Sequence, residues 1–198
     1  MNTKVKICGI TNLEDALVAC RAGADALGFV FYEKSPRYIT PQSAKEIAQK
    51  LPPFVKKVGL FVNETPAFIN ETMKNSLMDI AQLHFKVSKE FLEKLNCSYI
   101  EVVRVKSKND IVNLSKDRYF LVDAFVKSYG GEGKRIDLNL FSGIDCSNMI
   151  LAGGLNENNI KEVLQYGFYG VDVSSGVERE KGIKDHAKID NFIKLAKR

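Results

Sequence analysis

Eight short β-type runs alternate with helical-period runs along the 198 residues: "VKICGI", "DALGFVF", "KKVGLFV", "MDIAQLH", "SYIEVVRV", "RYFLVDAF", "NMILAGG" and "YGVDVSS". Several are almost continuously apolar, the pattern of parallel strands buried on both faces. Right-handed crossovers around eight such strands bring the chain back to its start. The alternation therefore predicts one α/β domain over residues 1–198, a (β/α)8 TIM barrel. At about 25 residues per unit it lies near the lower length limit of that fold. A doubly wound open sheet is the alternative. It normally takes fewer units and a glycine-rich first turn, and "CGITNLED" is not a G-x-G-x-x-G fingerprint.

The intervening segments carry helix start and stop signals. Thr11 and Glu14 have capping-box spacing ahead of Leu13, Ala16, Leu17 and Cys20, with Gly23 as the stop. Thr40-Pro41 and Thr65-Pro66 each pair a cap with an N1 proline, Ser88 precedes Phe91, Leu92 and Leu95, and Asn156 leads into Ile160, Val163 and Leu164. The fifth and sixth units are the weakest. "SKNDIVNLSK" has one short apolar face, and "KSYGGEGKRIDLNLF" is a long glycine-rich connection before a very short helix at most.

Composition narrows the function classes. The N-terminus lacks the layout of a signal peptide and no stretch is long and apolar enough to cross a bilayer, so a cytoplasmic, non-membrane protein is expected. Cys8, Cys20, Cys97 and Cys146 form no C-x-x-C pair, and only His84 and His186 could join them, which argues against disulfides and against a metal site. The net charge of +5 is mild and its lysines are scattered. That suits an anionic small molecule or a plain solvated surface, and gives no nucleic-acid patch. Monomer and homodimer stay equally open, because barrel-exterior and interface helices read alike.

In a barrel of this kind the active site lies at the C-terminal ends of the strands. Polar and reactive residues gather there: Cys8 at the end of strand one, Arg37 in the loop after strand two, His84 at the end of strand four, Asp123 at the end of strand six, and Asp172 with Ser174 and Ser175 at the end of strand eight. Each has a structural alternative, as a core thiol, a helix cap or a satisfied histidine. The neighbouring loops "AGGLNENN" and "SSGVERE" offer backbone amides from strands seven and eight, a usual barrel site for phosphate. "YGGEGK" lacks P-loop spacing and reads as an active-site loop.

These residues resemble a known family. "KICGITN", "ADALGFVF", "KSPRYI", "VGLFVN", "QLH", "LVDA", "YGGEGK", "ILAGGL" and "GVDVSSGVE" occur in the order found in the phosphoribosylanthranilate isomerases of tryptophan biosynthesis. The resemblance implies a (β/α)8 barrel without metal or organic cofactor, and an Amadori rearrangement of N-(5-phosphoribosyl)anthranilate. It implies Cys8 as general base, Asp123 as general acid, and Arg37 as the partner of the anthranilate carboxylate. Gly154, Ser174, Ser175 and Gly176 would hold the phosphate; Asp172 would meet a ribose hydroxyl or order the strand-eight loop, and His84 would line the rim. The base must be a thiolate and the acid a neutral carboxyl, so Cys8 needs a nearby positive potential and Asp123 needs burial. Two features depart from the family pattern: Phe85 follows "QLH" where glycine is usual, and no aromatic stands between "GGEGK" and Phe141. The rival readings are a histidine-pathway or dual-substrate sugar-phosphate isomerase, and a barrel that binds phosphate without catalysis.

Overall fold

A computed structural model describes residues 3–124 and 136–197. The strands are β1 (Lys4–Cys8), β2 (Ala26–Val30), β3 (Lys56–Phe61), β4 (Ile80–Leu83), β5 (Ser98–Val105), β6 (Phe120–Ala124), β7 (Met149–Leu151) and β8 (Gly170–Val173). They pair in chain order, all parallel, and β8 closes onto β1. The eight-unit alternation thus becomes a closed barrel.

Helices α1 (Leu13–Ala22), α2 (Pro41–Ala48) and α3 (Pro66–Ser76) cover the first strands. Helices α4 (Lys89–Leu92), α5 (Asn109–Val112) and α6 (Ile160–Val163) are single turns, a 3-10 turn at Leu138–Phe141 follows β6, and α7 (His186–Ala196) closes the ring. Single turns cannot shield a long strand: no residue of α4 is buried, and Val105 is the one buried residue of β5.

The caps act largely as the sequence suggests. Thr40, Thr65 and Ser88 each accept from the amide three residues on, and Gly23 ends α1 in the left-handed region. The first cap is displaced by one residue. Asn12, not Thr11, accepts from the Asp15 amide and donates back to its carboxylate at 2.8 Å, while Thr11 Oγ1 donates to the Gly182 carbonyl. Asn12 caps the helix through its side chain, which also bonds the Asp15 carboxylate, and this frees Thr11 to tie a distant loop. Asn156 starts the turn before α6, but Asn159 occupies the cap position.

Along the strands one parity packs outward against the helices. Val5, Ile7, Leu27, Phe29, Leu83, Val122, Leu151, Val171 and Val173 join Ala16, Ile47, Ile69 and Phe192 in one apolar layer. Each fully buried large side chain there contributes about 2–3 kcal/mol. Cys20 and Cys97 pack at the edge of this layer and Cys146 lies within it. No helix among the described residues is long and apolar enough to cross a membrane.

Candidate active site at the C-terminal end of the barrel

Strand alternation fixes which side chains enter the barrel. With Val5, Ile7, Val122, Val171 and Val173 turned toward the helices, their neighbours Lys6, Cys8, Asp123 and Asp172 point inward. Register then sets them side by side: Cys8 beside Gly28, Lys6 beside Asp172, and Arg104 beside Asp123.

Lys6 Nζ donates to Asp172 Oδ1 at 2.9 Å, with both side chains buried. Across the β1–β2 pairing, the position a Cβ would take on Gly28 lies 2.7 Å from Cys8 Sγ and 3.0 Å from Lys6 Nζ. Thiol and ammonium therefore share the space that a residue without a side chain leaves open. Burial pushes the Cys8 thiol up, against the pull of Lys6 and Lys184, and Asp172 adds to the rise. The positive potential that a thiolate needs is thus present, but burial outweighs it. Burial also works against the Lys6 ammonium, and Asp172 and Cys8 more than restore it.

Asp123 faces the same pair from the far wall. Its Oδ1 accepts from the Ala124 amide at 2.8 Å and sits over Gly153. Burial pushes this carboxyl up to about 6; the Ala124 amide opposes that, and Asp172 adds to it. Cys8 and Asp123 both sense Lys6 and Asp172, so the structure gathers all four into one electrostatic unit.

Arg37 is buried, and its Nε and Nη2 each donate to a Glu178 oxygen at 2.8 Å. A guanidinium carries five N–H groups in a planar fork, so this pairing leaves others for a second acceptor. Glu178 begins the small hairpin of β9 (Glu178–Glu180) and β10 (Ile183–Lys184). Lys184 Nζ, fully buried, donates to Glu178 Oε1, to the Cys8 carbonyl and to the Ser174 carbonyl. Burial works to raise the Glu178 carboxyl, but Arg37 and Lys184 together hold it low.

His84 lies just past β4, its ring Nε2 2.6 Å from Gln82 Nε2. Burial, then Lys6 and Arg104, drives its pKa down to about 3, so the ring is neutral. Gly154 and the 3-10 turn Ser175–Val177 belong to loops that touch. Gly176 packs onto the Leu155 carbonyl so closely that a Cβ would lie 1.8 Å from the oxygen. Gly154 accepts from Asn159 Nδ2 at 2.9 Å, and the buried Ser174 Oγ has no hydrogen-bond partner among the described residues. "YGGEGK" lies outside the described residues.

Sequence reasoning missed Lys6, Gly28, Glu178 and Lys184. Lys6 had a signal, since it stands two residues before Cys8 on the same strand face. Glu178 closes the quoted "DVSSGVE" motif, yet nothing local pairs it with Arg37, 141 positions away. Lys184 has no local signal.

The model of the N-(5'-phosphoribosyl)anthranilate isomerase family matches residues 5–195. The N-(5'-phosphoribosyl)anthranilate isomerase of Nitratiruptor sp. is 61% identical over 194 residues, covering 98% of each chain. The crystal structure of phosphoribosyl anthranilate isomerase from Thermotoga maritima superposes with a TM-score of 0.90 at 42% identity, covering 98% of both chains. A second, of such an isomerase with reduced 1-(o-carboxyphenylamino)-1-deoxyribulose 5-phosphate, gives 0.85 at 40% and the same coverage. A third, of monomers made from the dimeric Thermotoga maritima enzyme, gives 0.86 at 38%, again covering 98% of both chains. By sequence over nearly its whole length and by fold, the chain belongs to the phosphoribosylanthranilate isomerase family.

Proposed function

We propose that this isomerase of tryptophan biosynthesis converts N-(5-phosphoribosyl)anthranilate to 1-(2-carboxyphenylamino)-1-deoxyribulose 5-phosphate, with Cys8 as general base and Asp123 as general acid. The observation that carries the reading is that a thiol and a raised carboxyl face one Lys6–Asp172 pair inside a closed barrel. Protonated Asp123 gives its proton to the ribose ring oxygen. The C1–O bond breaks and the anilino nitrogen lone pair forms a protonated Schiff base at C1. Cys8 thiolate then takes the C2 proton, the electrons move into a C1–C2 double bond, and the enolamine tautomerises to the C2 ketone. Hydrogen moves from C2 to C1 with no net redox change, so the chemistry balances without a cofactor.

The N–H groups of Arg37 that Glu178 does not take up suit the anthranilate carboxylate, with Glu178 fixing the plane of the fork. The touching loops at Gly154 and at Ser174, Ser175 and Gly176 suit the phosphate, and the Ser174 hydroxyl, without a partner among the described residues, suits an acceptor there. Asp172 orders the end of β8 through Lys6, and neutral His84 lines the rim. At pH 7 the proton favours Cys8 over Asp123, so the reactive form is the minor tautomer with that proton moved across the site.

Turnover is read as the loss of substrate fluorescence, with wild type and Cys8→Ala side by side. The variant is expected to lose at least about 100-fold in kcat with an unchanged circular dichroism spectrum. A fully active Cys8→Ala enzyme removes the base assignment. Turnover of the histidine-pathway aminoaldose adds a second substrate, and ligand-induced stabilisation of the wild type without turnover makes it a binding barrel.

A second reading concerns assembly. At the N-terminal end of the barrel a cavity of about 620 Å³ opens among Val58, Ile100, Leu121, Ile150, Tyr99 and Tyr169, and Phe54, 95% exposed, stands at its rim. A protruding ring and an apolar hole on one face are self-complementary under a two-fold axis. We read the chain as a homodimer joined there, in keeping with the dimeric Thermotoga maritima relative. Sedimentation should show a dimer that Phe54→Asp converts to monomer; a monomeric wild type at micromolar concentration ends this reading.

A further inference from the structure

We propose that Lys6 is the electrostatic partner of Cys8: its ammonium, anchored by Asp172 and pressed with the thiol into the space over Gly28, supplies the counter-charge of the thiolate. The inference rests on the reading of Cys8 as the base, and adds to it the group that makes a buried thiolate tolerable.

Three observations carry it. Lys6 and Cys8 lie on one face of β1, both directed into the barrel, with their charged or ionisable atoms about 3 Å from the same point above Gly28. Asp172 fixes the ammonium from the neighbouring strand at 2.9 Å. Lys184 also stands close, but its three N–H groups already meet Glu178 and two carbonyls, so it has none left for sulfur. Lys6 spends one on Asp172.

The other charges near the thiol are committed elsewhere. Among the described residues, Lys184 and Arg37 also favour a thiolate at Cys8, but both are paired with Glu178 of the hairpin. Asp172 on β8 opposes the thiolate, while Asp123 on β6, Arg104 on β5 and neutral His84 past β4 act on the same Lys6–Asp172 region from across the barrel. Asp172 is then a positioning residue that also moderates the field. It holds the ammonium in place and cancels part of its charge.

The two members of the pair therefore have opposite expected effects on Cys8. The test is alkylation of the full-length protein by iodoacetamide over a pH series, followed residue by residue by peptide mass spectrometry. In Lys6→Met the midpoint for Cys8 should rise by about one pH unit or more, a tenfold smaller thiolate fraction at any pH below the midpoint. In Asp172→Asn it should fall. Simple loosening of the barrel would move both midpoints in one direction, so shifts of like sign overturn the proposal, as does an unmoved midpoint in Lys6→Met. Should Lys6→Met fail to fold, Lys6→Gln and Asp172→Asn decide it by the same signs. Alkylation reads ionisation whether or not Cys8 is the base. A fully active Cys8→Ala enzyme beside a shifted Lys6→Met midpoint removes the base reading alone; an inactive Cys8→Ala enzyme beside an unmoved midpoint removes the Lys6 inference alone.

Discussion

The two ends of the barrel interior follow opposite rules. Toward the C-terminal ends of the strands the inward positions carry Cys8, Arg104, Asp123 and Asp172, with Lys6 in the layer between, where it also borders the cavity below. Toward the N-terminal ends they carry Val58, Ile80, Ile100, Leu121 and Ile150 around the cavity, and the ion pairs Lys4–Asp25 and Arg118–Glu101 are partly exposed. Buried charge costs free energy unless it is paired, whereas buried hydrocarbon stabilises. One end of the same core is therefore arranged at the expense of stability, and substitutions at the two ends should separate activity from folding.

Asp123→Asn gives the largest separation. Activity should fall about 100- to 10,000-fold, as for loss of a general acid. Stability should move the other way. Asp123 titrates at about 6 in the folded chain and near 4 unfolded, so the folded state binds the extra proton between those values. By linkage, stability drops as pH climbs through about 4 to 6, and the full cost persists at neutral pH. The asparagine variant should be more stable at pH 7 by roughly 2–3 kcal/mol in urea melts, with no gain at pH 3. The rate profile carries a second sign. Wild-type kcat/KM should decline below about pH 6, where both Cys8 and Asp123 hold protons. In the variant that limb should vanish, leaving a residual rate that rises with pH until Cys8 ionises.

Gly28→Ala comes next. A methyl group placed 2.7 Å from Cys8 Sγ and 3.0 Å from Lys6 Nζ must displace both. Stability should fall by about 1–3 kcal/mol, the usual cost of overpacking, and kcat/KM by roughly 10- to 100-fold. A variant that loses stability alone would show that the approach of thiol and ammonium matters to packing and not to chemistry.

At the other end, Ile150→Val should do the reverse. It trims one methylene from the cavity wall, so stability should fall by about 0.5–1.5 kcal/mol with activity within twofold of wild type. A larger loss of activity would mean that the two ends are mechanically coupled.

The contrast between the ends also explains what could be read from sequence. The strands announced themselves because parity and continuous apolarity are local properties: "KICGI" and "LVDA" each place one reactive side chain among hydrophobes. Cys8, Asp123 and Asp172 were legible as rim residues for that reason. The acidities of Cys8 and Asp123 were not, because they depend first on burial and then on Lys6 and Asp172, which meet across β1 and β8, 166 positions apart. Arg37 was legible as a rim cation, but its clamp by Glu178, itself held by Lys184, depends on a hairpin with no repeating pattern. The cavity was illegible too, since an inward isoleucine at the N-terminal end looks the same in sequence whether the space before it is filled or open.

The smallest expected effect is none at all, at His84. Burial and the charges of Lys6 and Arg104 bring this ring to about 3, although it stands beside the predicted substrate. Its imidazole signals should stay flat between pH 4.5 and 8 in a histidine-resolved NMR titration. An inflection near the ordinary value of about 6.5 would mean that water reaches the ring and screens both cations. The field of Lys6 would then be too weak at Cys8 as well, because the same ammonium acts on both groups.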